Sequence, residues 1–170
     1  MNKNKKLIAI HLNEFNYEFL SKGAKKYECK NILKLLKLKR IKTYTSDKIQ
    51  HKNLDPWVQS VSINTGTISK KHNITQLNQK LSNRINQIWD LLAKKNIKCG
   101  VWGTMNSIYR YHKNLKFFFP DPWNFKSKAY PEELNNYVEL PKFYAQNYLD
   151  SGKFKFLKLV LVFLVRISFT

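Results

Sequence analysis

The chain is poor in cysteine, in arginine and in acidic residues. Its two cysteines, Cys29 and Cys99, stand far apart and belong to no CxxC pair, so neither a disulfide framework nor a cysteine-based zinc site is indicated. We expect two reduced, partly buried thiols in a cytosolic protein. Only four of the 31 basic residues are arginine, and 11 acidic residues leave a net charge of +20.

Long apolar runs are also lacking. Only four apolar residues, starting at Leu7, precede His11, which is too short for the core of a signal peptide. No run approaches the roughly 20 residues that cross a bilayer as a helix. The sequence therefore favours a cytoplasmic location.

The chain contains enough apolar residues to form a core. At 170 residues, with 43 % hydrophobic and 14 % aromatic side chains, it predicts one folded domain and not a disordered chain. The charge of +20 would ordinarily point to nucleic acid or an anionic membrane. The lysines are scattered among many Asn and Ile residues, which is equally typical of a biased composition, so we expect no specific nucleic-acid partner.

The most sharply marked element is a helix over residues 55–66. Asp55 suits the N-cap, where its carboxylate can accept first-turn N–H groups, and Pro56 suits the first helical position. Gly66 suits the left-handed residue that ends a helix. The start of such a helix favours an anion, so any chemistry is expected near Asp55.

Periodicity and punctuation predict the remaining elements as alternating strands and helices. Strands are expected at Leu7–Leu12 (buried), Lys42–Ser46, Ile97–Trp102 and Leu115–Phe119, with a polar loop at Asp47–Leu54. Helices are expected at Tyr17–Tyr27, Ile32–Leu38, Ser82–Lys95, Pro131–Val138 and Pro141–Tyr148. Asn31 is the expected cap of the second of these helices, and Asn96 is expected to close the third. This order predicts an α/β fold: an open, mostly parallel sheet with flanking helices. Ligands of such sheets bind beyond the carboxyl ends of the strands. Asn13 and Glu14, the Asp55 helix start and the segment Gly103–Asn106 are therefore expected to converge on one rim.

Several of these segments together carry a family resemblance. Asn13-Glu14 after the first strand, the helix ending Thr65-Gly66, and His72-Asn73-Ile74 six residues later resemble the N-terminal half of the alkaline phosphatase superfamily. The similarity is to its type I phosphodiesterase/nucleotide pyrophosphatase-like branch, and more closely to a bacterial subfamily of it. It covers about residues 6 to 150, so residues 1–150 are expected to form the N-terminal part of an alkaline-phosphatase-like core.

The resemblance implies a metal-dependent phosphoric ester hydrolase. In that superfamily two divalent metals, usually zinc, flank a Thr or Ser nucleophile at a helix start. The first metal-ligand slot falls on Asn13, with Glu14 beside it. The nucleophile slot falls on Pro56, which has no hydroxyl, and Asp55 precedes it. The group's Pro-x-x-His-Gly-Ile motif here reads Ser69-Lys70-Lys71-His72-Asn73-Ile74.

The superfamily's other metal ligands lie in a second half that this chain does not reach. Residues 151–170 form a basic, apolar tail, which is expected to be a truncated or out-of-frame continuation with weak membrane contact as an alternative. The expected function is thus a truncated phosphodiesterase-like or phosphatase-like hydrolase, inactive as an isolated chain. The alternatives are a non-catalytic phosphate or sugar-phosphate binding module and a basic nucleic-acid or membrane binder.

Each candidate site residue also has an ordinary structural interpretation. Asp55 is the catalytic candidate, and its alternative role is the N-cap of the helix. Asn13 and Glu14 are the candidate metal ligands. The alternative for Asn13 is an N-cap or turn residue, and the alternative for Glu14 is an acid in the first turn of the following helix. His72 and Asn106 are candidate ligand-binding residues or loop residues. The implied cofactor is a divalent metal, with zinc the expected ion. No cofactor is the alternative, because Glu14 and Asp55 alone lack the three or four ligands that a zinc needs. The implied partner is a phosphate-bearing small molecule or glycan precursor.

Overall fold

The computed structural model describes residues 6–13, 15–47 and 54–147, and five separate helical positions further on (Leu157, Val160, Leu161, Leu164 and Val165). The chain divides into two compact units, Met1–Thr45 and Ser46–Thr170. The expected helix end at Tyr148 and the tail lie outside the described residues, apart from those five positions. None of the helices described is both long and apolar enough to cross a membrane.

Two helices form the first unit. α1 (Tyr17–Lys26) starts where predicted, and the Asn16 side chain caps it by accepting the Phe19 N–H at 2.8 Å. α2 (Lys30–Leu36) starts earlier than predicted, so Asn31 lies inside the helix and is not its cap. The reason is a tight reversal: the N–H of Cys29 donates to the carbonyl of Ala24 in α1, which brings the chain directly into α2.

The predictions of two strands in the N-terminal part are wrong. Leu7–Leu12 forms no strand, and Leu7 is 91 % and Ile8 82 % exposed. Residues 42–46 are also exposed and form no strand. Apolar, β-branched composition indicates a strand only when a neighbouring strand supplies the backbone hydrogen bonds.

The second unit opens with the helix that the sequence marked most clearly. α3 (Pro56–Thr65) has Pro56 in its first turn and ends at Gly66, which has a left-handed φ of 65°. α4 (Ser69–His72) follows and ends at Asn73, also left-handed. Val61 of α3 packs with Ile74 and Leu81 in a buried cluster, so the connection after α3 folds back onto it.

The next helix is shorter than predicted. α5 (Ile88–Lys94) begins six residues after the expected start at Ser82, with a capping box between Gln87 and Asp90. The guanidinium of Arg110 explains the late start, because it donates to the carbonyls of Ser82 (3.1 Å) and Ile85 (2.9 Å). Those carbonyls are thereby engaged outside any helix. The predicted left-handed closing residue Asn96 is confirmed, with φ 60°.

The predicted strands that follow α5 are confirmed as a parallel pair. β1 (Cys99–Thr104) pairs with β2 (Leu115–Pro120), and the register joins Val101 to Phe118. On one face Val101, Leu115 and Phe118 pack against Trp89 of α5. Helix, tight turn and strand thus follow each other as the sequence indicated, but of the residues of β1 only Val101 is buried.

Between residues 131 and 147 the structure has one α-helix where two were predicted. A short 3₁₀ turn (Glu132–Leu134) leads into α6 (Asn135–Asn147), which runs through Pro141 without ending. A proline inside a helix removes one backbone hydrogen bond and can kink the helix without ending it. Val138 of α6 packs on Phe119 and Ala129, which ties the helix to β2. The described fold is a mixture of helix and strand, with a two-stranded parallel sheet flanked by helices, and is α/β in that coarse sense.

Candidate functional site

Asp55 occupies the N-cap of α3, as predicted, but its side chain does not cap the helix. The backbone carbonyl of Asp55 accepts from the N–H groups of Val58 (2.9 Å) and Gln59 (3.0 Å), while the carboxylate makes no capping hydrogen bond. The predicted carboxylate cap is therefore wrong, because backbone bonds already close the first turn. The carboxylate stands half-buried beside the helix start, available to another group.

The hydroxyl groups of α3 are turned to partners within the protein. Ser60 is buried, and its hydroxyl accepts from the side-chain amide of Asn64 at 3.4 Å. Thr65 donates to the carbonyl of Val61 at 2.7 Å, a bond that stays within the helix. Ser62 lies 3.0 Å from the ring of His72.

His72 is a buried histidine with both ring nitrogens engaged. Its Nδ1 accepts the N–H of Ile74 at 3.0 Å, and its Nε2 lies 3.0 Å from the Ser62 hydroxyl. Because Nδ1 is an acceptor, the neutral ring carries its proton on Nε2 and donates it to Ser62. In that tautomer His72 cannot take a proton from Ser62, so the pair is not a nucleophile with its base. Its geometry holds the α4 end against α3.

Asp47 is a part of this region that sequence reasoning missed. Its carboxylate accepts from the Ser69 hydroxyl at 2.6 Å and from the Gln59 amide at 3.2 Å, which links α3 to α4. Burial lowers the pKa of His72 from its ordinary value of 6.5, and the charge of Asp47 offsets part of that effect. The sequence placed Asp47 at the head of a polar loop and offered no signal for this contact.

Asn106 fixes a loop from the end of β1. It is buried, its Oδ1 accepts the Asn78 N–H at 2.8 Å, and its Nδ2 donates to the Gln76 carbonyl at 2.9 Å. Its backbone is left-handed, with φ 48°. The side-chain amide therefore has a structural partner on each atom.

The predicted site residues fall into separate places. Asn13 is an exposed turn residue of the first unit, and Glu14 lies outside the described residues. Asp55, His72 and Asn106 belong to the second unit. Ser62, the partner of His72, stands about two turns or roughly 10 Å further along α3 than Asp55. His72 joins Asp47 and Ser62 in one cluster, and Asp55 makes no hydrogen bond to it.

The implied zinc does not fit the donor set of the described residues. Among residues 6–13, 15–47 and 54–147 no group of three or more His, Cys, Asp or Glu side chains is arranged to hold a metal ion. Asp55 alone supplies one carboxylate, whereas a zinc needs three or four protein ligands. No chemical step is therefore assigned to a metal here.

Comparisons with protein-family models, curated proteins and solved structures found no match for this chain. The functional proposal therefore depends on the geometry of α3 and its surroundings.

Proposed function

We propose that this chain is a non-hydrolysing relative of the phosphodiesterase-like branch, which binds a phosphate-bearing ligand at the start of α3. The observation that carries the proposal is Pro56 in the first turn of a helix closed by Thr65-Gly66. This is the helix whose start holds the nucleophile in the family that the sequence resembles. A proline there offers neither a hydroxyl nor an N–H.

The absence of an activated hydroxyl on α3 supports binding without turnover. Ser60 and Thr65 are engaged within the helix, and the tautomer of His72 donates to Ser62. A nucleophile requires a base positioned to accept its proton, and none of these contacts provides one. In this proposal the chain keeps the helix of the family that it resembles but has no nucleophile on that helix.

The ligand that best suits the helix start is a sugar phosphate. The positive end of the helix dipole attracts the phosphate. Trp57 supplies the first-turn N–H, because Pro56 has none and those of Val58 and Gln59 donate to the Asp55 carbonyl. The Asp55 carboxylate would repel a bare phosphate, but it can accept hydrogen bonds from sugar hydroxyls, and the structure leaves it without a capping bond. A glycan precursor with a phosphate at one end and hydroxyls at the other satisfies both groups.

An alternative is a metal-dependent hydrolase site that includes Asp55. The observation that favours it is the same uncapped carboxylate, since a divalent metal would also accept it as a ligand. The two candidates differ in their need for metal. A sugar phosphate bound directly requires none, whereas a metal-bridged phosphate binds only with the ion present.

Isothermal titration calorimetry of the purified chain tests the proposal. Glucose 6-phosphate is the probe, titrated with and without zinc, and inorganic phosphate is the comparison. We expect the sugar phosphate to bind without metal and more tightly than phosphate, with affinity about tenfold lower in Asp55→Ala, the loss of one or two hydrogen bonds. Glu133→Gln, an exposed acid outside α3, is the matched control and should bind normally. Binding only with zinc, or equal binding by Asp55→Ala, would overturn the proposal.

A further inference from the structure

The second face of the sheet is aromatic and partly open. It is formed by Gly100, Trp102, Phe117 and Phe119, which pair across the strands as Gly100 with Phe117 and Trp102 with Phe119. We call this set the aromatic face. The opposite face is closed by the Trp89 cluster, and α6 covers the aromatic face only near Phe119.

Trp102 is a fixed aromatic platform. Its ring stacks on Phe119 with centroids 4.1 Å apart and an interplanar angle of 6°, so one side of the indole is occupied. The residue is nevertheless 69 % exposed, and its other side therefore faces solvent. A flat ring already held in plane loses little freedom when a second ring stacks on it.

Phe117 extends the platform because position 100 has no side chain. A Cβ at Gly100 would stand 2.1 Å from the Phe117 ring, which shows that the ring lies directly over the glycine backbone. Phe117 remains 39 % exposed. Two neighbouring aromatic rings on one sheet face are thus accessible from outside.

The two strands that carry the aromatic face and the chain that joins them hold basic residues and no acids. From Leu91 to Pro120, a span that includes both strands, there are six basic residues and no Asp or Glu. Lys98 directly precedes β1 and Lys116 stands beside Phe117, both exposed. The acids that flank this span are engaged: Asp90 pairs with Arg110, and Asp121 is buried and accepts the Trp123 N–H.

We propose that the aromatic face binds single-stranded nucleic acid, with a base stacked on the free side of Trp102 and the adjacent lysines contacting phosphates. Stacking on exposed aromatic rings combined with backbone neutralisation is the usual way in which proteins hold single strands without reading their sequence. A second copy of this chain fits the face less well, because it would bring the same lysine-bearing strands to the contact. The proposal is independent of the function proposed for α3.

Fluorescence anisotropy with a labelled oligothymidylate of about 12 nucleotides, a length within the range of single-strand sites, tests this proposal on the full chain. In low salt we expect saturable binding that weakens steeply as sodium chloride is raised. Trp102→Ala should weaken binding between about 5-fold and 100-fold, the effect of losing one stacked base, and Trp102→Phe should recover part of it. Because Trp102 is mostly exposed, circular dichroism of Trp102→Ala should show an intact fold.

The matched control is Tyr144→Ala, an exposed aromatic residue on α6, which should bind like the wild type. An equal loss in Tyr144→Ala and Trp102→Ala would overturn the proposal, as would duplex DNA binding as tightly as the single strand, which would indicate charge alone. Sedimentation that shows a wild-type dimer dissociated by Trp102→Ala, without oligonucleotide binding, would assign the face to a second copy and also overturn it.

Discussion

At the scale of single residues, His72 decides how α3 and α4 are held together, and it predicts a pH dependence. Burial lowers the pKa of His72 below its ordinary 6.5, so the folded protein prefers the neutral ring. The unfolded chain then binds more protons than the folded one once the pH falls below about 6.5, and the free energy of unfolding decreases with acidification. Protonation at Nδ1 also removes the acceptor of the Ile74 N–H. Urea unfolding at several pH values measures this slope.

The control for that slope is His11→Gln. This variant removes an exposed histidine of the first unit and is measured beside His72→Gln. His72→Gln should flatten the dependence as the pH falls below about 6.5, the ordinary pKa of histidine. A slope that survives in His72→Gln would show that another group causes it.

Arg110 is the second residue on which the fold depends. It pairs with the buried carboxylate of Asp90 and holds the carbonyls of Ser82 and Ile85. Arg110→Met leaves that carboxylate without its partner, so we expect a loss of about 3 kcal/mol or more in the free energy of unfolding. Urea unfolding of Arg110→Met against Arg84→Met, which removes an exposed arginine, measures it. A loss of equal size in both variants would contradict the assigned role.

At the scale of elements, signals local to the chain predicted the most. Pro56 and Gly66 predicted both ends of α3, and Asn96 predicted the closing residue of α5, because each sets its own backbone angles. The late start of α5 depends on Arg110, which is 28 positions from Ser82 in the sequence. No local sequence pattern predicts that late start. The prediction of a strand at Leu7–Leu12 was wrong for the same reason, because a strand needs a partner strand that lies elsewhere in the sequence.

The left-handed end of α3 gives a prediction for this element. Gly66 has φ 65°, which a residue with a Cβ adopts at a cost, so Gly66→Ala should destabilise the protein by about 1 kcal/mol. Gly23 lies inside α1 with open space around its Cβ position, and Gly23→Ala should instead be neutral or stabilising by up to about 1 kcal/mol. Thermal unfolding should show a lower Tm for Gly66→Ala and an unchanged or higher Tm for Gly23→Ala. A Gly66→Ala variant as stable as the wild type would contradict the cap assignment.

At the scale of the whole molecule, the two units differ in how much they bury. In the described part of Met1–Thr45 the only fully buried residue is Ala24, whereas the second unit holds three apolar clusters. Amide exchange should therefore be fast over residues 7–12 and slow over β1 and β2. Hydrogen–deuterium exchange mass spectrometry compares the protection of residues 7–12 with that of the two strands. Equal protection of both would contradict the absence of a strand at Leu7–Leu12.

The candidate site at this scale was predicted only in part. Position and type of α3 followed from the sequence, as did Asp55 at its start. The contacts that decide the chemistry did not, because the tautomer of His72 depends on a backbone N–H and the Asp47 contacts cross from one segment to another. The family resemblance implied a nucleophile slot, and the contacts of the α3 hydroxyls support the proposal that no nucleophile acts there.

The most direct test is the hydrolysis of an activated phosphodiester, bis(p-nitrophenyl) phosphate, by the purified chain. The assay is run with zinc, with manganese and with a chelator, and Ser62→Ala and Asp55→Ala serve as matched variants. We predict no release of p-nitrophenol above the protein-free rate under any of these conditions. Metal-dependent release that disappears in Asp55→Ala or Ser62→Ala would contradict the proposal that this chain binds without turnover.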